Sequence, residues 1–165
     1  MRAFVLLPVL AMLGLSPHFT KAGEPDPDPF GYFIGIWTCS GHFVSNGAPI
    51  ASTIDAEWDD RTLTLAVHHD DLSPHAYHAV ETWGATRKPG RYHASIADRF
   101  SGVRWYSSDG WMDGTFIWSR TEDGRELERF VYIKKSDKAM TVNWLVARGM
   151  ATELTLGDTL DCTKA

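Results

Sequence analysis

The sequence is poor in the features that mark several large protein classes. It has two cysteines in 165 residues, too few for a disulfide-scaffold miniprotein or a multi-cysteine metal cluster. It has no surplus of basic charge: 16 Lys+Arg stand against 21 Asp+Glu, giving a net charge of −5. That balance argues against a protein that tracks nucleic-acid phosphates, which needs a basic face. No stretch holds apolar residues at i, i+3, i+4, i+7 for three turns, so little helix is expected. No Gly-x-Ser-x-Gly turn is present, and no phosphate-cradling glycine loop precedes a helix. After the first fifteen residues there is no long apolar run, so the mature chain is expected to have no transmembrane segment.

The chain does have aromatic rings, with 7 Trp, 5 Tyr and 8 Phe. Such a load either fills a core or lines a ligand cavity. At this length the chain is expected to form one domain. Residues 1–22 read as a secretory signal peptide. Met1 and Arg2 start it, residues 3–15 form the apolar run, and Thr20 and Ala22 place small residues before a cleavage site near Ala22. The expected location is therefore periplasmic or extracellular. Cleavage removes Arg2 and Lys21 and makes the chain more acidic. In an oxidising compartment Cys39 and Cys162 are expected to pair. The bridge would close a loop of about 120 residues, worth roughly 4–5 kcal/mol on the chain-entropy model. It also requires the first and last structured segments to be neighbours.

Residues 23–30 read as a Pro/Asp-rich linker, and residues 31–165 as the folded domain. Within it, short β-branched and aromatic runs alternate with turn residues. Strands are expected at 35–44, 52–58, 62–68, 76–83, 91–98, 103–107, 115–119, 127–134, 139–147 and 152–161. Turn chemistry separates them, including Asn46-Gly47, Lys88-Pro89-Gly90, Asp109-Gly110 and Asp123-Gly124. The expected fold is a single antiparallel up-and-down β-barrel of about 8–10 strands, closed by a disulfide between the terminal strands.

Gly35-Ile36-Trp37 at the first strand resembles the opening of a lipocalin-type (calycin) domain. The stretches 107–118, 128–144 and 159–164 strengthen the likeness. Together they resemble small exported bacterial lipocalin-like barrel proteins of unassigned function. The resemblance implies that Trp37 plugs the closed end of the barrel. It also implies a basic residue stacked on that ring, for which Arg129 and Lys164 are the candidates.

Residues 68–78 hold four imidazoles and two carboxylates. In a tight hairpin His68 faces His78, and with a loop carboxylate or His75 the pair could hold Zn²⁺ or Cu²⁺. The competing reading is a polar hairpin tip at the rim. The same register places Leu63, Leu65 and Val67 on one face with Ala79, Glu81 and Trp83, so Glu81 points among apolar groups. Glu57 is a similar case on the preceding strand. The expected ligand wall is Trp58, Trp83, Trp105, Tyr106 and Trp118. Glu81 and Arg129 are its possible anchors, and Trp111 is a loop ring at the mouth. The function expected from this pattern is binding of a small hydrophobic or amphipathic molecule, without a resident cofactor. The alternatives are a metal- or haem-dependent enzyme using the His68–His78 hairpin and a surface interaction module displaying Trp111.

Overall fold

The computed structural model describes residues 28–73 and 77–165; the segment read as a signal peptide lies outside them, as does His75. Eleven strands follow one another, and no helix occurs among the described residues. They are β1 Gly35–Phe43, β2 Pro49–Asp59, β3 Thr64–Ser73, β4 His78–Ala85, β5 Tyr92–Asp98 and β6 Gly102–Ser108. After them come β7 Trp111–Met112, β8 Thr115–Glu122, β9 Arg125–Ser136, β10 Ala139–Val146 and β11 Thr155–Lys164. Ten are full strands and correspond to the ten expected segments. The two-residue β7 is a spur paired to β8.

Consecutive strands pair antiparallel, except β6 with β7, and β1 pairs with β11. The sheet becomes a closed barrel where β6 meets β8. That seam has a single backbone pairing, Ser107 with Ser119. Cys39 lies directly opposite Cys162 in the β1–β11 ladder, and the two form the disulfide, 123 residues apart in sequence. Their antiparallel opposition supplies the close Cα approach that a disulfide needs.

Alternation along the strands decides what enters the barrel. On β2 the buried positions are Ile50, Ser52, Ile54 and Ala56, with Glu57 exposed on the outer face. Glu57 is therefore not an inward acid, because it is one residue out of phase with that set. On β3 and β4, Leu65 faces Trp83 and Val67 faces Glu81. The expected face is correct, but the pairing is displaced: Val67 meets Glu81 rather than Ala79. A displacement that keeps the parity changes partners without exchanging faces. Leu63 is the exception. It sits in the β2–β3 turn at φ 56° and is exposed rather than part of the inner face.

One half of the barrel is solid. The segment before β1 crosses the barrel end and inserts Phe30 and Phe33, both buried, among Trp83, Phe116 and Tyr132. Packed structure therefore begins inside the stretch read as linker. Three side chains hold this segment by its carbonyls. Trp37 Nε1 donates to Phe33 O at 2.8 Å, Trp111 Nε1 to Pro29 O at 2.8 Å and Lys164 Nζ to Tyr32 O at 2.6 Å. The Lys164 ammonium also lies 4.7 Å from the Trp37 ring centroid, a cation–π arrangement. Of the two basic candidates, Lys164 takes this place. Arg129 lies elsewhere, paired to Glu126.

Candidate functional site

The other half of the barrel is hollow. A cavity of about 290 Å³ lies towards the end bearing the β1–β2, β3–β4, β5–β6 and β10–β11 connections. Its apolar wall includes Phe43, Ile50, Ile54, Phe130, Val142 and Leu160. The polar groups facing it come from inward positions near the strand ends. On β3 the inward set continues from Leu65 and Val67 to His69 and Asp71. Asp98 ends β5, Arg104 opens β6, Glu128 sits on β9 and Asp158 on β11.

These groups form two clusters. The first spans the weakly paired β6–β8 seam. Arg104 Nη1 donates to both oxygens of Glu128, at 2.6 and 2.8 Å, and its Nη2 pairs with Asp98. Glu128 also accepts from the Tyr106 hydroxyl at 2.6 Å and from Trp144 Nε1 at 2.8 Å. Side chains thus join β6 to β9 and β10 where the backbone ladder gives out. Burial by itself would lower the Arg104 guanidinium; Tyr106, Glu128 and Tyr77 outweigh it and raise it. Burial raises the Asp98 carboxyl, but the Ser101 and Phe100 amides and Arg104 outweigh that, so it ends below its ordinary range. Burial, reinforced by the Glu128 charge and hydrogen bond, pushes the Tyr106 hydroxyl far up and keeps it neutral.

The second cluster is less well compensated. Glu81 is 4% exposed, and its Oε2 accepts from Trp83 Nε1 at 2.7 Å. His69 Nε2 is 2.7 Å from Ser52 Oγ and 3.4 Å from Asp71 Oδ1. That carboxylate oxygen is buried and makes no hydrogen bond among the described residues. Burial raises the Glu81 carboxyl despite partial relief from His69, Trp83 and Arg104. Burial would lower the His69 imidazole, but its Asp71 contact and the Glu81 and Asp158 charges raise it overall. Asp158 is pushed up to about 7 by burial and by the Asp71 charge.

The aromatic residues expected to line the ligand divide differently. Trp83 and Trp118 are fully buried in the solid half, Trp83 stacked on Phe116 and Trp118 edge-on to both, rather than facing the cavity. Trp105 is 66% exposed on the outer barrel face, because β6 turns Arg104 and Tyr106 inward. Trp58 keeps the inward parity of β2 but reaches the strand end, where it is partly exposed against Phe30. Trp111 is not a free loop ring: it stacks on Phe33 and packs on Tyr32 and Phe116 in the plug. Trp144 is the tryptophan on the cavity wall. Glu81 does face the cavity, and Tyr106 lies just behind it through Glu128.

The histidine hairpin differs too. His68 pairs across the ladder with Val80 and points outward, while His78 lies opposite Asp70 and bonds to its carboxylate. His68 and His78 are therefore not opposite one another. Among the described residues no three His, Cys, Asp or Glu side chains form a metal-binding group.

No protein-family model matches the chain, and no curated protein matches it. Among solved structures it is similar to a protein with unknown function from the DUF3598 family of Nostoc punctiforme PCC 73102. The match has a TM-score of 0.56 and 10% sequence identity, and covers 81% of this chain and 48% of that one. The likeness is one of fold. The chain spans about half the length of this neighbour, and the two share a β-barrel architecture.

Sequence reading missed His69, Asp71, Asp98, Glu128 and Asp158 as cavity groups. The signal for the first two was present, since both continue the two-residue period of Leu65 and Val67. For Glu128 and Asp158 there was none, because each meets its neighbours only across the barrel.

Proposed function

We propose that this is an exported lipocalin-type binding protein that holds one small hydrophobic or amphipathic molecule in its barrel. The observation that carries the reading is the half-filled interior. One end is closed by an aromatic plug, and the other keeps a cavity of about 290 Å³ with apolar walls and convergent polar groups. Small-ligand sites have this composition. The size suits a ligand near the small end of that class. The lipocalin-type assignment draws support from the Gly35-Ile36-Trp37 start and from Lys164 over the Trp37 ring. Export draws support from the pattern of residues 1–22 and from the Cys39–Cys162 disulfide, which persists in oxidising compartments.

Native mass spectrometry of untagged protein exported by its own leader tests the proposal. The expected result is a mass reduced by residues 1–22 and by two hydrogens, carrying an adduct of a few hundred daltons or less that denaturation removes. A bare protein that also shows no heat with 1-octanol, octylamine or octanoate by calorimetry would overturn the binding role. A mass that retains residues 1–22 would overturn the export role.

A further inference from the structure

Five carboxylates line the cavity, from Asp71, Glu81, Asp98, Glu128 and Asp158, against one guanidinium and one imidazole. Arg104 is paired through Nη1 with Glu128 and through Nη2 with Asp98, and its buried Nε has no hydrogen-bond partner among the described residues. What is left is Glu81, Asp71 and Asp158 around a single His69. Tyr132, 6% exposed, also lines the cavity. Asp71 Oδ1 is buried, lies 3.4 Å from His69 Nε2 and makes no hydrogen bond among the described residues. Buried polar groups in folded proteins are normally satisfied, so a carboxylate oxygen left without a hydrogen bond beside this hollow marks a place for an incoming donor.

We propose that the cavity selects ligands carrying a protonated amine, with the ammonium group seated among Glu81, Asp71, Asp158 and Tyr132 and an apolar body along Ile54, Val142 and Leu160. This rests on the binding function proposed above. An ammonium group brings three donors and one positive charge, and no acceptor that would compete. Oxygens of three carboxyls and a phenol are the complementary set. A carboxylate ligand would add a negative charge to this group and is disfavoured. The raised carboxyls of Glu81 and Asp158 fit the same picture. Burial is the main cause of both shifts, and an ammonium group arriving among these carboxyls favours loss of their protons to solvent.

The test is calorimetry of the disulfide-bonded protein with three probes of one body: octylamine, 1-octanol and octanoate. Octylamine is expected to bind at least about tenfold tighter than 1-octanol, and octanoate more weakly than either. Titration in buffers of different ionisation enthalpy is expected to show proton release with octylamine and none with 1-octanol. Glu81→Gln keeps an acceptor for Trp83 Nε1 while removing the charge, and Asp158→Asn and Tyr132→Phe are similarly conservative. Each is expected to weaken octylamine and leave 1-octanol within about twofold, which also shows that the cavity is intact. Equal affinity for octylamine and 1-octanol, or preference for octanoate, would overturn the amine inference and leave the binding role standing. Failure of all three probes to bind would overturn both.

Discussion

Replacing Glu128 with glutamine takes one negative charge from a buried group that holds Arg104, Tyr106 and Trp144. The partner left behind is a guanidinium inside the barrel, and removing one member of a buried pair usually costs about 3–5 kcal/mol. Asp98 still faces Arg104, so Glu128→Gln is expected near the lower limit, about 3 kcal/mol by equilibrium urea unfolding. Asp158 makes a different prediction. Its carboxyl ordinarily titrates near 3.8 and is held at about 7 here, so the folded protein binds that proton more tightly than the unfolded chain. The stability it contributes is complete below 3.8 and is lost as pH rises through about 7. His69, raised from 6.5, has the same sign over a higher window. Asp98, lowered from 3.8, has the opposite sign: its contribution is present above 3.8 and lost on further acidification. Unfolding midpoints are therefore expected to decline from about pH 5 towards pH 8, and Asp158→Asn to flatten that decline. The histidine-rich stretch makes the same point about legibility. His69, not His68, enters the barrel, because it shares the period of Leu65 and Val67.

Among the strands, β1 and β11 carry the closure that joins the ends of the chain. They are linked by seven paired positions and by the Cys39–Cys162 bond. Reduction leaves the ladder and removes only the covalent tie. It is expected to cost about 4–5 kcal/mol at most on the loop-entropy model, read from the shift in urea midpoint between oxidised and reduced protein. The opposite seam has the contrasting design. β6 and β8 share one backbone pair, so the remaining amides of β6 on that side lack a ladder partner. Hydrogen exchange is expected to be fastest in β6 among the full strands, and Glu128→Gln to speed it further, since the side-chain ties across the seam are then weakened. The ten full strands could be found from alternation and turn residues because both are local signals. Their pairing could not be fixed as closely. The β3–β4 hairpin turns around residues 74–77, and the length of a turn shifts partners while leaving faces alone.

At the scale of the whole barrel, an aromatic-rich sequence serves two purposes with different residues. The plug gathers Phe30, Phe33, Trp83, Phe116 and Trp118 in one end, leaving Phe43, Phe130 and Trp144 to the cavity. A substitution in the plug is expected to act on stability rather than on binding. Phe33→Ala removes a ring in contact with Trp83, Trp111, Phe116 and Tyr132 and is expected to cost about 3–5 kcal/mol by urea unfolding. Trp144→Phe acts the other way: it alters the cavity wall and frees one Glu128 oxygen of a donor, so a change in ligand affinity is expected by calorimetry. The sequence by itself determined the strand class, the number of full strands, the alternation that sends Glu81 inward and the pairing of two cysteines at the chain ends. These follow from local periodicity, turn chemistry and closure of a meander. Only the tertiary structure decided which tryptophans are plug and which is wall, that Lys164 sits on Trp37, and that Arg104 answers Glu128 across the seam. Those contacts join residues far apart in the chain, and their partners are set by barrel closure, a property that no local stretch of sequence carries.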